Sequence, residues 1–377
     1  VYNLTCPKAN KAKKEAIVKA AVLHEFGKPV VIEEINIDPP GKEEVKVRLA
    51  ATAVCHSDIH VLKGELGGEP PLVAGHESAG YIEEVGEGVT SVKVGDPVVL
   101  SLIDHCGHCL YCRTGLPHLC DTPLPLRTGT RLSNKKGKPI GQVLRTGSFA
   151  EFAVVHNSQV VKIPKDMPMD RAALLGCGVI TGFGAVVNTA NLHSLQSAVV
   201  IGAGGVGLNS IQGAAFSGAY PVIAVDVLPN KLKAAKQFGA THTVNAKNVD
   251  AIEAVKKLTD GKGADHVFVT VGSARAIEQG VAMSGRRGTT VIVGLPKITD
   301  SISFSAFAFL DGERRLTGSF MGSTNLQVDV PKLVTLYKAG KLKLDELITA
   351  HYPLGKINTA IDKVLKGQAL RNVIMFD

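Results

Sequence analysis

From Ser197 onward the chain alternates short, unbroken apolar runs with longer amphipathic stretches. SAVVIG, PVIAVD, THTVN, DHVFVTVG and GTTVIVGLP read as strands, with GVGLNSIQGAAFSG, NKLKAAKQFGA, VDAIEAVKKLTD and ARAIEQGVAMS as helices between them. RRLTGSF supplies a sixth strand. Strands that are apolar throughout, and not only at every second position, are buried on both faces. That is the condition of a parallel sheet with helices packed on each side. Six strands in about 120 residues match the size of a complete doubly wound sheet.

The first third has another texture. VKVRLAATAVC (Val45 to Cys55) alternates apolar and polar residues, then turns continuously small and apolar, as a strand entering a core does. Pro39-Pro40-Gly41 is turn chemistry before it, and glycines and prolines punctuate Gly64 to Gly95, predicting short strands joined by loops. Beyond Met321, VPKLVTLYKAG and INTAIDKVLKG predict helices and RNVIMF a last strand.

Length and composition narrow the class. The 377 residues suggest two or three domains at roughly 150 residues each, and 45% hydrophobic against 20% charged residues supplies their cores. No apolar run approaches the ~20 residues of a membrane-spanning helix, and the start lacks a secretory pattern, so no membrane partner and a cytoplasmic location are expected. The formal charge of +8 raises nucleic acid as a partner. The basic residues are spread out, however, and the densest run, Lys8 to Lys19, has no aromatic interleaving. It predicts a solvated arm and no nucleic-acid partner. Cys6, ahead of that arm, has no assigned role.

Two local patterns carry chemistry. VVIGAGGVG sets Gly202, Gly204 and Gly207 in G-x-G-x-x-G spacing after a predicted strand and at the start of a helix, the context that makes the triplet a dinucleotide site. The first glycine permits the tight turn, the second lets backbone approach a pyrophosphate, and the third lets helix and strand pack closely. Asp226 ends the second strand, where a carboxylate accepts hydrogen bonds from ribose hydroxyls and repels a 2′-phosphate, so NAD is expected over NADP. The second pattern is HCGHCLYCRTGLPHLC, with Cys106, Cys109, Cys112 and Cys120 in C-x2-C-x2-C-x7-C spacing. Disulfides this close would be strained, and a redox pair would sit beside a βαβ unit. Four thiolates on one loop instead predict a closed structural zinc site, with His105, His108 and His118 as exposed loop residues.

CHSDIH, GHESAGYIEEVGEGV, the four-cysteine loop, GCGVITG and GAGGVG with its downstream Asp stand in the order and spacing of one family. The chain resembles, from about Val18 to Phe376, the zinc-dependent alcohol dehydrogenases of the medium-chain dehydrogenase/reductase superfamily. The resemblance implies an α/β fold in which a six-stranded parallel Rossmann sheet (179–320) joins a β-rich GroES-like catalytic domain (1–178 and 321–377). It implies Cys55, His76 and Cys177 as ligands of a catalytic zinc, hence two Zn2+ per chain. A cation at the alcohol oxygen stabilises the alkoxide, which donates hydride more readily. Asp58 corresponds to a carboxylate orienting the histidine ligand, and Glu77 to an acidic group near the metal. Ser57 and His60 match a proton relay that runs from the alcohol through the nicotinamide ribose to solvent, and a histidine suits its outer end because imidazole exchanges protons near neutral pH. His56, Lys231 and Arg371 match contacts to pyrophosphate or ribose, Thr181 a contact near the nicotinamide amide, and Val206 a member of the glycine-rich loop on the cofactor.

The family's substrate pocket corresponds here to Leu66, Leu102, Val143, Leu144 and Leu295, a branched aliphatic set that suits an apolar alcohol or aldehyde. A homodimer or tetramer is expected. Arg127 and Arg131, in the loop Leu126 to Gln142, leave open a reductase of carboxylate-bearing semialdehydes. A non-catalytic dinucleotide-binding protein is a remoter alternative.

Overall fold

The computed structural model describes residues 16–377, so Cys6 and most of the basic arm lie outside the described residues. The end of that arm is a strand, Ala16–Leu23, whose alternate side chains enter a core, so Ala16 to Lys19 are not a free tail.

Ala16–Leu23, Val31–Ile37, Leu132–Ser133, Pro139–Gln142 and Leu72–Val73 close a small barrel. A seven-stranded sheet lies against it, centred on Glu44–Ala53, the strand expected from Val45 onward. One edge of Glu44–Ala53 pairs with Ser78–Val85. Its other edge is shared by two strands, Phe152–His156 over Glu44 to Arg48 and the C-terminal Arg371–Met375 over Ala51 to Ala53. The last strand of the chain is thus built into the first unit, and it carries Arg371 to the end of Glu44–Ala53 nearest Cys55.

The second unit is a six-stranded parallel sheet. Its strand order is His242–Asn245, Val222–Asp226, Ala198–Ile201, Ala264–Val269, Ser284–Ile292 and Arg315–Gly318. The order reverses beside Ala198–Ile201, and a crevice opens at such a switch point, outside the carboxyl ends of the strands. Ala198, Val199 and Val200 are fully buried, as their unbroken apolar run requires, and a buried Val contributes about 1.5–3 kcal/mol. Several elements went unpredicted, among them the helices Met169–Leu174, Gly178–Gly184 and Ala306–Gly312 and the edge strand Ile348–Pro353, which among the described residues pairs only with Arg371–Met375, in parallel.

Candidate active site

Three donors that are far apart in sequence meet at the head of the first unit. Glu44–Ala53 delivers Cys55 to the N-terminus of the short helix His56–Leu62, His76 precedes Ser78–Val85, and Cys177 precedes the helix Gly178–Gly184. All three are buried, and their donor atoms lie within 4.8 Å of one another. Asp58 is the organiser. Its carboxylate accepts from the backbone N–H of Gly75 (2.9 Å) and of Cys55 (3.1 Å) and from His76 Nδ1 (2.8 Å). An oxygen that already accepts a backbone N–H makes Nδ1 the donor, which leaves Nε2 with its lone pair toward the sulfurs, 3.2 Å from Cys177 Sγ. Cys177 and His76 draw the Cys55 thiol well below its ordinary range, although burial opposes this. The same sulfur–sulfur contact, with burial, holds Cys177 above its range.

Glu77 lies beside this cluster, fully buried, with neither carboxylate oxygen hydrogen-bonded. Burial pushes its carboxyl up to about 7, since Arg371 Nε at 3.7 Å attracts it without forming a hydrogen bond. Arg371 threads between the two units: a Cβ on Gly178 would fall 1.9 Å from its Nη2, and one on Gly205 2.5 Å from its Nε. Two thiols and an imidazole nitrogen, three buried donors with the Glu77 carboxylate beside them, fit a divalent cation bound with one position open.

The cluster opens onto a cleft of about 1050 Å³ between the two units, lined by Cys55, His56, Ser57, His60, Cys177, Thr181, Gly202, Gly204, Val206, Gly207, Asp226, Lys231 and Arg371. Cys55 and Cys177 apart, these are the residues expected on the cofactor and in the relay. Gly207 has no room for a side chain, because a Cβ there would sit 1.8 Å from the Gly202 carbonyl oxygen. Gly204, by contrast, faces open space, a cradle any Cβ would begin to fill. Asp226 accepts from the N–H of Ala203 (2.7 Å) and of Leu228 (2.9 Å), which fixes its carboxylate at the cleft edge. Burial draws the Lys231 ammonium below its ordinary range despite Asp226, and it donates to the Ala369 carbonyl. Burial likewise lowers His56. Ser57 Oγ lies 3.8 Å from Cys55 Sγ. His60 Nδ1 is hydrogen-bonded to Glu65, a partner that no periodicity announces because it stands five residues on in a loop. Thr270 was also missed; its hydroxyl donates to the Gly202 carbonyl at 2.8 Å and braces the glycine turn.

The four-cysteine loop forms a second cluster, Cys106, Cys109, Cys112 and Cys120, again within 4.8 Å. Hydrogen bonds from Thr122, His108 N and Cys109 N outweigh burial and bring Cys106 to about 6, while burial and Cys109 push Cys112 to about 12. Four sulfurs this close share protons unevenly unless a cation neutralises them, so the set fits a closed tetrahedral ion. The histidine expectation needs correction. His108 is exposed, but His118 is buried with Nδ1 unpartnered, and His105 is half-buried with its Nδ1 also enclosed. His118 and Leu119 line the cleft, so the loop is not remote from the site.

At the substrate end Leu66, Leu102, Leu144 and Leu295 line the cleft as expected. Val143 instead packs against the barrel core. Arg127 and Arg131 do not line it either. Arg127 grips Asp104 (2.9 Å from both Nε and Nη2) and Arg131 grips Glu44 (2.8 Å from both). These are bidentate pairs with buried carboxylates, which leave neither guanidinium free for a ligand. Arg145, by contrast, does line the cleft, as a second arginine beside Arg371.

Family comparisons agree with this geometry. Residues 41–165 match the alcohol dehydrogenase GroES-like domain and residues 205–339 the zinc-binding dehydrogenase domain. The chain is 39% identical over 367 residues to an NDMA-dependent alcohol dehydrogenase of Amycolatopsis methanolica, covering 95% of this chain and 98% of that one. A crystal structure of an alcohol dehydrogenase zinc-binding domain protein from Burkholderia ambifaria superposes with a TM-score of 0.92 at 34% identity, covering 97% of this chain and all of that one. Benzyl alcohol dehydrogenase from Acinetobacter calcoaceticus gives 0.89 at 34% identity over 96% of this chain and all of its own. With both halves of the fold, both donor clusters and the relatives in agreement, the chain belongs to the zinc-dependent alcohol dehydrogenases of the medium-chain dehydrogenase/reductase superfamily, oxidoreductases that act on CH–OH donors.

Proposed function

We propose that the chain interconverts primary or secondary alcohols and their carbonyl products with NAD as the hydride carrier. The observation that carries this reading is the convergence, on one cleft, of the Cys55–His76–Cys177 cluster, Ser57 and His60 with the Gly202–Gly207 turn and Asp226. Cys55, His76 and Cys177 would hold one zinc and Cys106, Cys109, Cys112 and Cys120 a second. Gly202, Gly204, Val206, Gly207, Asp226, His56, Thr181, Lys231 and Arg371 would hold the dinucleotide. A bound zinc supplies Lewis acidity at the substrate oxygen, and bound NAD accepts the hydride that leaves the adjacent carbon.

The chain's own residues do the rest. Asp58 locks the His76 ring and so fixes the donor geometry. Ser57 Oγ takes the substrate hydroxyl proton, and His60, hydrogen-bonded to Glu65 at its outer side, releases it. Leu66, Leu102, Leu144 and Leu295 exclude water and cover the apolar body of the substrate. Asp226 selects NAD by repelling a 2′-phosphate.

We also read the chain as a homodimer or tetramer, because Ile298, Phe304, Phe307 and Leu310 leave apolar side chains exposed around one short helix. The six described cysteines are free thiols, in keeping with a reducing, cytoplasmic setting. Among the described residues no helix is long and apolar enough to cross a membrane.

The test is turnover of NADH and NADPH with unbranched and aromatic aldehydes on zinc-replete protein, followed by cofactor absorbance. Reduction with a higher kcat/KM for NADH is expected. Full zinc and NAD binding without turnover would leave a binding protein, and alcohol oxidation that proceeds with NDMA as acceptor but not with added NAD would overturn free NAD as the carrier.

A further inference from the structure

Beyond Ser57 and His60, the substrate end of the cleft sets Leu66, Leu102, Leu144 and Leu295 beside two polar side chains, Arg145 and His118. Arg145 sits between Asp104 and the cleft. Its Nε is 3.3 Å from Asp104 Oδ1 and its Nη2 donates to the Leu102 carbonyl at 3.0 Å, while its Nη1 has no hydrogen-bond partner among the described residues. Asp104 is already held by both nitrogens of the Arg127 fork. One carboxylate therefore serves two guanidinium groups, and a net positive charge remains on the cleft wall. Among the lining residues the one carboxylate is Asp226, at the cofactor's adenosine end, so nothing acidic in the substrate end cancels that charge.

The backbone around Arg145 is fixed in an unusual form. Leu144 (φ 52°) and Arg145 (φ 61°) are consecutive left-handed residues, a conformation that side chains other than glycine adopt rarely and that persists only when neighbours impose it. The neighbours do so here. Gln142 Nε2 donates to the carbonyls of Arg145, Thr146 and Val154, and Thr146 Oγ1 donates to the Gly75 carbonyl at 2.7 Å. Gly75 precedes His76, so the turn that presents Arg145 is tied directly to a donor of the three-residue cluster. The four-cysteine loop supplies an independent sign of a polar ligand. His118 is more than nine-tenths buried, lines the same space, and has an Nδ1 without a partner.

We propose that the substrate is an aldehyde or alcohol with an apolar body and a carboxylate at its far end, recognised by Arg145 with His118 beside it. The proposal rests on the dehydrogenase reading above and specifies its substrate class. A planar guanidinium fork matches a carboxylate, and in this aliphatic surround the charge-assisted hydrogen bonds are little screened. Leu66, Leu102, Leu144 and Leu295 line the same cleft as Arg145 and the donor cluster, so the apolar body and the anionic end are read together.

The experiment compares kcat/KM for two matched pairs, 4-carboxybenzaldehyde with 4-methylbenzaldehyde and 4-oxobutanoate with pentanal. The enzymes are the holoenzyme, Arg145→Leu and Arg145→Lys. The wild type is expected to favour the carboxylate of at least one pair by about tenfold or more, and Arg145→Leu to lower that ratio about 10- to 100-fold. Arg145→Lys should recover part of it by charge without the fork. Calorimetric binding of 4-(hydroxymethyl)benzoate supplies a readout that needs no turnover, and circular dichroism with NADH binding reports whether each variant is folded. A wild type that favours the uncharged member of both pairs, or an Arg145→Leu variant that slows both members equally, overturns the proposal. Carboxylate binding that vanishes in Arg145→Leu without turnover of any aldehyde would sink the dehydrogenase reading while supporting the anion site.

Discussion

The two donor clusters are built by opposite routes. Cys106, Cys109, Cys112 and Cys120 come from fifteen consecutive positions, and their spacing alone brings the sulfurs together. Cys55, His76 and Cys177 span more than a hundred residues, and they meet only because three elements of the first unit end at the same place. A local set tolerates changes in the rest of the fold but is all or nothing within its loop. A distributed set depends on its supports, above all Asp58, which bonds both the Cys55 backbone and His76. The contrast also fits their chemistry. A closed four-thiol shell has no position left for a substrate, whereas a three-donor shell at the floor of a cleft has one.

That contrast can be broken by mutation, and the largest effect is expected at the distributed set. Cys177→Ala should lower turnover by about three orders of magnitude or more, since it removes a ligand of the ion at the reacting oxygen, with the fold preserved by circular dichroism. Cys112→Ser should release the other ion and lower Tm by on the order of 10 °C, because binding energy at such a site is folding energy. Asp226→Ala should cut kcat/KM for NAD by roughly 10- to 100-fold and narrow the gap to NADP, measured by initial rates with each cofactor. Asp58→Asn should weaken zinc at the distributed set by about 10- to 100-fold in a chelator competition and leave the four-cysteine ion in place. The smallest effect is expected for His60→Gln, about a tenfold loss in alcohol oxidation at neutral pH that imidazole buffer restores, less than a group touching the reacting atom supplies. Equal loss at all pH values with no rescue would remove His60 from the proton path.

The same division decided what could be read from the chain. The four interior runs of the parallel sheet were legible because burial on both faces leaves an apolar signature, and the glycine turn because its spacing is a local requirement. The four-cysteine loop was legible for the same reason. Ala306–Gly312 was not, since AFAFLDG is a short apolar run that suits either a strand or a helix. Ile348–Pro353 lies at a sheet edge with half-buried and exposed residues alternating and none fully buried, so it shows no core-facing apolar stripe. No local spacing marked the Cys55–His76–Cys177 cluster; only the resemblance to a family pointed to it. The alternative reading, a carboxylate-bearing substrate held by Arg127 and Arg131, rests on arginines that do not line the cleft. Arg127 and Arg131 are consumed by Asp104 and Glu44, whereas Arg145 reaches the cleft through a left-handed turn that no sequence pattern encodes. His118 escaped for a related reason, because a loop histidine next to four cysteines gives no sign of which way the loop folds.

The most direct test of the two-cluster account is elemental analysis of zinc per chain in the intact protein, Cys112→Ser and Cys177→Ala, with turnover measured on the same samples. The account predicts two ions in the intact protein and one in each variant, with turnover abolished in Cys177→Ala and retained, on a less stable protein, in Cys112→Ser. A single ion in the intact protein, or loss of both ions from either variant, would contradict it.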